Sequence, residues 1–499
     1  MTKEARDSYS HVLRYTGIIG GVQGLNILVS LVRNKLVALI LGPNGMGLAS
    51  LFTTTTNFIS QATNFGISFS AVKHVSELFE RGDKAETEHF VSVVRTWSLL
   101  TALLGMLVCI VAGPLLSKYT FAWGDHTLHF ILLAPAVALM AINGGETAIL
   151  KGARQLRPLA VIQIMLVILS LLISVPVYYY FGQQGIVPVI VLSALFSTLL
   201  TLRHSLRLFP LQLKNASTLL GEGTGMVRLG VAFVIAGVMG SGAEMIIRSY
   251  LNVSSGDLDA VGLYNAGYML IITYAGMVFS AMETDYFPRL SSVNNDPEAT
   301  RTMVNRQIEV SLLIVAPMLA TLIITLPVLV PLLFSNKFMP MLGMAQVAVF
   351  AMYIKALSLP ISYITLAKGD SVGYMTLEAI DDVLLIGLII IGYNNWGLTG
   401  TGIALVASYL IDIILVSIYT FVKYNYTPSS EVLQYTGIQF SLGLAAYIVT
   451  MVDNAYVYWA LGLLICTASL LVSLSILHQK TKLWTALITK FRNKFSSNG

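Results

Sequence analysis

The chain is expected to be all-α and integral to a membrane, with 14 transmembrane helices: two six-helix lobes in parallel repeat plus two extra C-terminal helices. Three observations predict this. Hydrophobic residues make up 56% of the sequence and charged residues 11%, with a mean hydropathy of +0.75. Soluble domains carry about a quarter charged residues. Fourteen apolar stretches, each long enough to cross a hydrocarbon core about 30 Å thick, fill the sequence from about His11 to about His478. The two halves also echo one another at an offset near 215 residues. A chain of 499 residues filled in this way leaves no room for a sizeable soluble domain.

In order, the spans are expected over 12–34, 45–70, 91–113, 127–149, 158–181, 185–202 and 225–248, then 261–285, 307–333, 341–366, 372–392, 398–421, 433–451 and 455–477. Helix breakers separate them: Gly42-Pro43-Asn44-Gly45, Gly113-Pro114, Pro297, Asn394-Asn395 and Pro428. The first stretch reads as a span rather than a cleavable signal peptide. It is too long, is interrupted by Arg14 and Asn26, and has no small-residue cleavage site after a short apolar core. Cys109 and Cys466 both fall within spans and form neither a disulfide framework nor a metal site.

Orientation follows from the Lys and Arg bias of the loops. With the N-terminus cytoplasmic, 24 of the 30 Lys and Arg lie on the inner side, 5 on the outer side, and Lys355 lies within a span. Both termini are therefore expected inside, as an even number of spans requires. The net charge of +5 expresses this bias, and the loops are too short to form a nucleic-acid-binding surface. The tail from Leu483 to Phe495 alternates apolar and basic faces, as an interfacial helix on an anionic leaflet does. A frayed basic tail fits the same residues.

The internal echo is carried by landmarks at offsets of 214 to 217 residues. Arg14 and Arg33 bracket span 1, as Arg228 and Arg248 bracket span 7. Gly45-Met46-Gly47-Leu48 matches Ala260-Val261-Gly262-Leu263, and Leu150-Lys151-Gly152 matches Ala367-Lys368-Gly369. A repeat of six spans preserves membrane orientation, so the lobes would be related by an axis along the membrane normal. The expected segments are residues 1–213 for the N-lobe, 214–428 for the C-lobe, 429–478 for the appended pair and 479–499 for the cytoplasmic amphipathic tail.

The stretch from Arg33 to Leu48, RNKLVALILGPNGMGL, resembles the opening signature of the polysaccharide-transport branch of the multidrug/oligosaccharidyl-lipid/polysaccharide exporter superfamily. Within that branch the likeness runs to the O-antigen and enterobacterial-common-antigen (lipid III) flippases of Wzx type. Leu150-Lys151-Gly152-Ala153-Arg154, Phe287-Pro288-Arg289-Leu290-Ser291 and Leu333-Phe334-Ser335-Asn336-Lys337-Phe338 extend it across the chain. The resemblance implies a flippase of the bacterial cytoplasmic (inner) membrane that moves an undecaprenyl-diphosphate-linked oligosaccharide outward by alternating access. It implies two lobes in a V with a cationic central cavity, and no enzyme activity. It is compatible with a polysaccharide polymerase and glycosyltransferases as partners, besides membrane lipids, and a monomer suffices. Related peptidoglycan-precursor flippases place an essential arginine where Arg33 stands. Their other cavity arginines fall near Gln61 and Tyr268, so this cavity is charged differently, which argues against lipid II as the substrate.

Ionisable groups at bilayer depth cost roughly 2.5–3.5 kcal/mol each even on the lower scales. From Ser8 to Ser76 the chain carries Arg14, Arg33, Lys35 and Lys73 and no Asp or Glu. Arg forks and a Lys point charge suit a diphosphate, so Arg33, Lys35, Arg248 and Lys355 are the expected headgroup ligands. A snorkelling Arg33 at the outer headgroups is the alternative. Asn26 and Gln61 are expected to bond sugar hydroxyls, although each also fits interhelical glue. Glu244 and Arg248 stand at i, i+4, the favourable order for a helical ion pair. The pair is either self-satisfied or gives up its Arg to substrate during the cycle. Glu378, Asp381 and Asp382, with Asp412 on the next span, either carry coupling or pair with Lys355. Asp285, with Glu283 beside it, and Glu146 are expected at gates or interfaces.

No metal-spaced His/Cys set and no phosphate loop is present in the sequence, and no cofactor is expected. Two other functions fit a chain of this class. One is a cation-coupled multidrug exporter of the same superfamily, against which the acid-free start of the chain argues. The other is a membrane scaffold for polysaccharide assembly, which needs no cavity charges.

Overall fold

In lipid every backbone N–H and C=O must be satisfied within the segment, and runs of Leu, Ile, Val and Ala do this as helices. The computed structural model describes residues 3–121, 124–212 and 216–481, and the described residues are helical with no strand. The helices are α1 (Lys3–Thr63), α2 (Ile67–Arg81), α3 (Lys84–Thr120), α4 (Thr127–Gly152), α5 (Leu156–Phe181), α6 (Ile186–Leu208) and α7 (Ala216–Glu222). They continue as α8 (Thr224–Ser255), α9 (Leu258–Tyr268), α10 (Met277–Ser292), α11 (Pro297–Leu333), α12 (Leu342–Ala367), α13 (Ser371–Tyr424), α14 (Ser430–Val449) and α15 (Ala455–Thr481). Among the described residues ten stretches are long and apolar enough to cross a membrane. The chain is a multi-pass, all-helical membrane protein. The side chains of Arg14, Arg228, Glu283 and Asp285 and the tail beyond residue 481 lie outside the described residues.

Several element boundaries differ from those expected. The first span runs on to Leu41, and α1 breaks at Gly42, whose φ of 66° and ψ of −173° suit glycine alone. Pro43 follows with no N–H to give. Arg33 therefore lies nine residues before the break, about 14 Å along the helix, rather than at its mouth. The second span is also divided: Phe65 and Gly66 take positive φ, and α2 restarts at Ile67. The break expected at Asn394-Asn395 falls at Trp396 and Gly397 within α13. The eighth span is interrupted by a π-helical stretch over Met269–Ala275 between α9 and α10.

The described chain packs as two compact units, residues 1–263 with 332–338, and residues 264–331 with 339–499. In the first, Ile67, Ala71 and Val75 of α2 pack with Val91 and Val94 of α3 and Ala148 and Ile149 of α4. A buried ion pair closes this bundle. Arg95 Nε bonds Glu146 Oε1 at 2.8 Å, and the same guanidinium donates to the Phe209 carbonyl and the Ser205 hydroxyl. Glu146 is thus held inside the bundle. In the second unit, Tyr286 and Leu290 pack with Val304, Ile308, Ile361 and Ile364. Asp370 caps α13 and accepts from Lys423, Tyr419 and Tyr424, which hold its carboxyl well below the usual range.

Candidate functional site

Two polar stripes interrupt apolar helices in the first unit. On the second segment of α1, Ser50, Thr54, Asn57 and Gln61 recur every four, three and four residues, which is one helical face. On α8, Gly237, Ser241, Glu244 and Arg248 repeat that spacing. The helices run antiparallel. At one end Arg248 Nε donates to Ser50 Oγ at 2.9 Å. At the other, Gly237 faces Gln61, whose Oε1 would lie 3.4 Å from any added Cβ.

Between the stripes lies a cavity of about 370 Å³, lined by Thr54, Asn57, Ser60, Gln61, Met140, Gly237, Ser241 and Glu244. Backbone crossings without room for a side chain stand beyond both ends of the α1 stripe. Gly66 meets Gly230, and Gly47 meets Leu258 and Gly262. The glycine pair noted as repeat-related in the sequence, Gly47 and Gly262, is thus a direct helix crossing.

The ionic groups beside the cavity are ordered in depth. Arg248 Nη1 bonds Glu244 Oε2 at 3.3 Å and the Glu244 carbonyl at 3.2 Å. The Arg248 side chain is 6% exposed and that of Glu244 45%. The wall therefore presents the carboxylate, with the guanidinium behind it. One turn further, Asn252 Nδ2 donates to the Thr120 carbonyl at 2.8 Å, while Asn252 Oδ1 and Thr120 Oγ1 are buried with no hydrogen-bond partner.

Of the residues singled out from sequence, Gln61, Glu244 and Arg248 come together here. Arg33 does not line the cavity. It is half-buried and donates from Nε to Ser174 Oγ on α5 at 3.2 Å. Lys35 is half-buried, and Asn26 Oδ1 is buried without a partner. In the second unit, the Lys355 ammonium lies 5.9 Å from the Phe279 ring centroid and within electrostatic reach of Glu378 and Asp412. Asp381 accepts from Ser408 at 2.6 Å, and Asp412 from Ser358. Asp382 is half-buried on the same helix.

Thr54, Asn57, Ser60 and Ser241 were not expected at the site. The signal was present: a polar residue at every turn of one face in a membrane span. Among the described residues no three His, Cys, Asp or Glu are arranged to hold a metal ion.

Residues 36–343 match the family model for polysaccharide biosynthesis proteins. Stage V sporulation protein B of Bacillus subtilis (strain 168) is 24% identical over 139 residues, which is 28% of this chain and 27% of that protein. The match thus spans about a quarter of the curated relative's length. The lipid II flippase MurJ, in an inward closed conformation, superposes with a TM-score of 0.70 at 14% identity, over 92% of this chain and 98% of that one. An inward-facing multidrug resistance MATE family transporter of the MOP superfamily gives 0.68 at 15% identity, over 80% and 94%. At these identities the likeness is one of fold. The kinship read from the sequence, with the polysaccharide-transport branch of this superfamily, is borne out.

Proposed function

Because the chain belongs to the polysaccharide biosynthesis protein family, we propose that it is a flippase for an undecaprenyl-diphosphate-linked oligosaccharide, carrying it from the inner to the outer leaflet of a bacterial cytoplasmic membrane. The observation that carries this reading is the hydroxyl- and amide-lined cavity between α1 and α8 in a chain of that family. Such groups both donate and accept, as carbohydrate hydroxyls require. The polyprenyl tail stays in lipid while the glycan crosses in the cavity.

Transport proceeds by alternating access of two six-span lobes, residues 1–213 and 214–428, with fourteen spans in all and both termini cytoplasmic. By the repeat, α8 opens the second lobe, and by packing it lies against the first. The α1/α8 seam is then the surface that must open. Its contacts suit a reversible closure. Across it Arg248 bonds Ser50, and beside it Asn252 of α8 bonds Thr120 of α3, next to buried polar atoms that gain partners on hydration. Arg248 becomes available to substrate when the Ser50 contact breaks.

Arg33, and Lys35 beside it, meet the diphosphate. Arg33 lies at bilayer depth, where a guanidinium needs a counter-charge or a polar partner, and its one described hydrogen bond uses Nε. Arg33→Glu is expected to abolish outward transfer at normal membrane abundance. Arg33→Lys should retain part of it, keeping the charge but losing the planar fork. Transfer at the wild-type rate by Arg33→Glu would remove Arg33 from the phosphate contacts. Lys355 offsets part of the charge of Glu378 and Asp412, which with Asp381, Asp382 and Asp285 form the candidate coupling and gating set.

The second reading is a cation-coupled multidrug exporter, favoured by one observation, the Glu244 carboxylate on the cavity wall. A growth assay separates the two. Resistance to cationic dyes on overexpression, with no glycan defect on deletion, supports the exporter, and the converse supports the flippase.

A further inference from the structure

A cavity meant for a diphosphate should present positive charge. Among the described residues this one presents none. Of those, the charged lining group is Glu244, and Arg248 is turned behind it with a side chain 6% exposed. The other lining groups are the hydroxyls of Thr54, Ser60 and Ser241 and the amides of Asn57 and Gln61. At about 370 Å³ the space lies at the lower end of small-molecule sites, which run from roughly 300 to 1,000 Å³, and suits one or two pyranose rings.

Building on the flippase reading, we infer that this cavity holds the sugar rings rather than the diphosphate, and that Glu244 makes it a charge filter on the glycan. Neutral sugars bond to the hydroxyls and amides. A protonated amino sugar is attracted to the carboxylate. A uronic acid brought into the same cavity sets a second carboxylate beside Glu244, and the two like charges repel. Specificity then comes from a repulsive element as well as from attractive ones. In the closed seam Arg248, bonded to Ser50 and to Glu244 Oε2 from the protein side, offsets part of this charge and leaves the exposed face of the carboxylate toward the cavity.

The test uses the full chain in proteoliposomes with two undecaprenyl-diphosphate-linked disaccharides. In one both sugars are neutral N-acetylhexosamines, and in the other a hexuronic acid replaces one ring. The wild type should transfer the neutral lipid faster by a factor on the order of ten. Glu244→Gln should bring the two rates together. Because Glu244→Gln also removes a partner of Arg248, Gln61→Lys is the second variant. It adds a cation to the opposite wall, leaves the ion pair intact, and should raise the acid-to-neutral ratio likewise. Equal wild-type rates for the two lipids overturn the charge filter and leave the flippase reading standing. A preference for the neutral lipid that neither variant changes also overturns it. Transfer of neither lipid by the wild type sinks the flippase reading itself and this inference with it.

Discussion

Replacing Asn57 and Gln61 together by leucine is expected to lower outward transfer of the lipid-linked glycan about a hundredfold while membrane abundance stays normal. Both side chains line the cavity and lie one helical turn apart on α1. Each lost amide leaves a sugar hydroxyl unpaired inside a walled space, at about 1–3 kcal/mol per group, and two such losses multiply to that factor. Leucine keeps the helix and adds no charge, and neither position is fully buried, so the fold should tolerate the change. The rate of appearance of the glycan on the outer leaflet, normalised to protein in the membrane, is the measurement. Wild-type rates in the double variant would mean that the glycan takes another route.

The second large effect falls on stability. Gly66→Val is expected to cost about 3 kcal/mol or more, from a left-handed backbone that valine resists and a collision with Gly230. Gly262→Val meets the Pro43 carbonyl directly and should fail in the same way. Losses of that size are a large share of the stability of a folded chain, so both variants should accumulate poorly and melt at lower temperature in detergent. Gly387→Ala is the control, since nothing lies within 4 Å of the added atom and its φ is not positive. Normal accumulation and melting of Gly66→Val and Gly262→Val would show that the α1, α8 and α9 crossings are not as close as described.

These two sites show what the sequence made legible. Hydropathy announced an all-helical membrane chain, and Gly42-Pro43 announced the break in α1, because a proline after a glycine can end a helix whatever surrounds it. The Glu244–Arg248 pair was readable from its spacing alone, as a contact within one helix. The Ser50 partner of Arg248 was not, because it stands 198 residues away and a serine in a membrane helix is commonplace. Asn57 carried a weak signal singly and a strong one only as part of the stripe from Ser50 to Gln61. Arg33 was recognised but placed too near the helix mouth, because the run to Leu41 stays helical past Asn34 and Lys35. The π-helical stretch over Met269–Ala275 had no sequence signal, since it depends on how neighbouring helices crowd that turn.

The claim at the centre is that sugar rings occupy the space between the polar faces of α1 and α8. The most direct measurement is photocrosslinking in proteoliposomes with an undecaprenyl-diphosphate-linked N-acetylhexosamine disaccharide carrying a diazirine on its first ring, followed by peptide mapping. Adducts on the α1 segment that carries Thr54, Asn57 and Gln61, and on the α8 segment that carries Ser241 and Glu244, are the expected result. Adducts confined to α14 and α15, or spread over lipid-facing positions with none on those two segments, would contradict it.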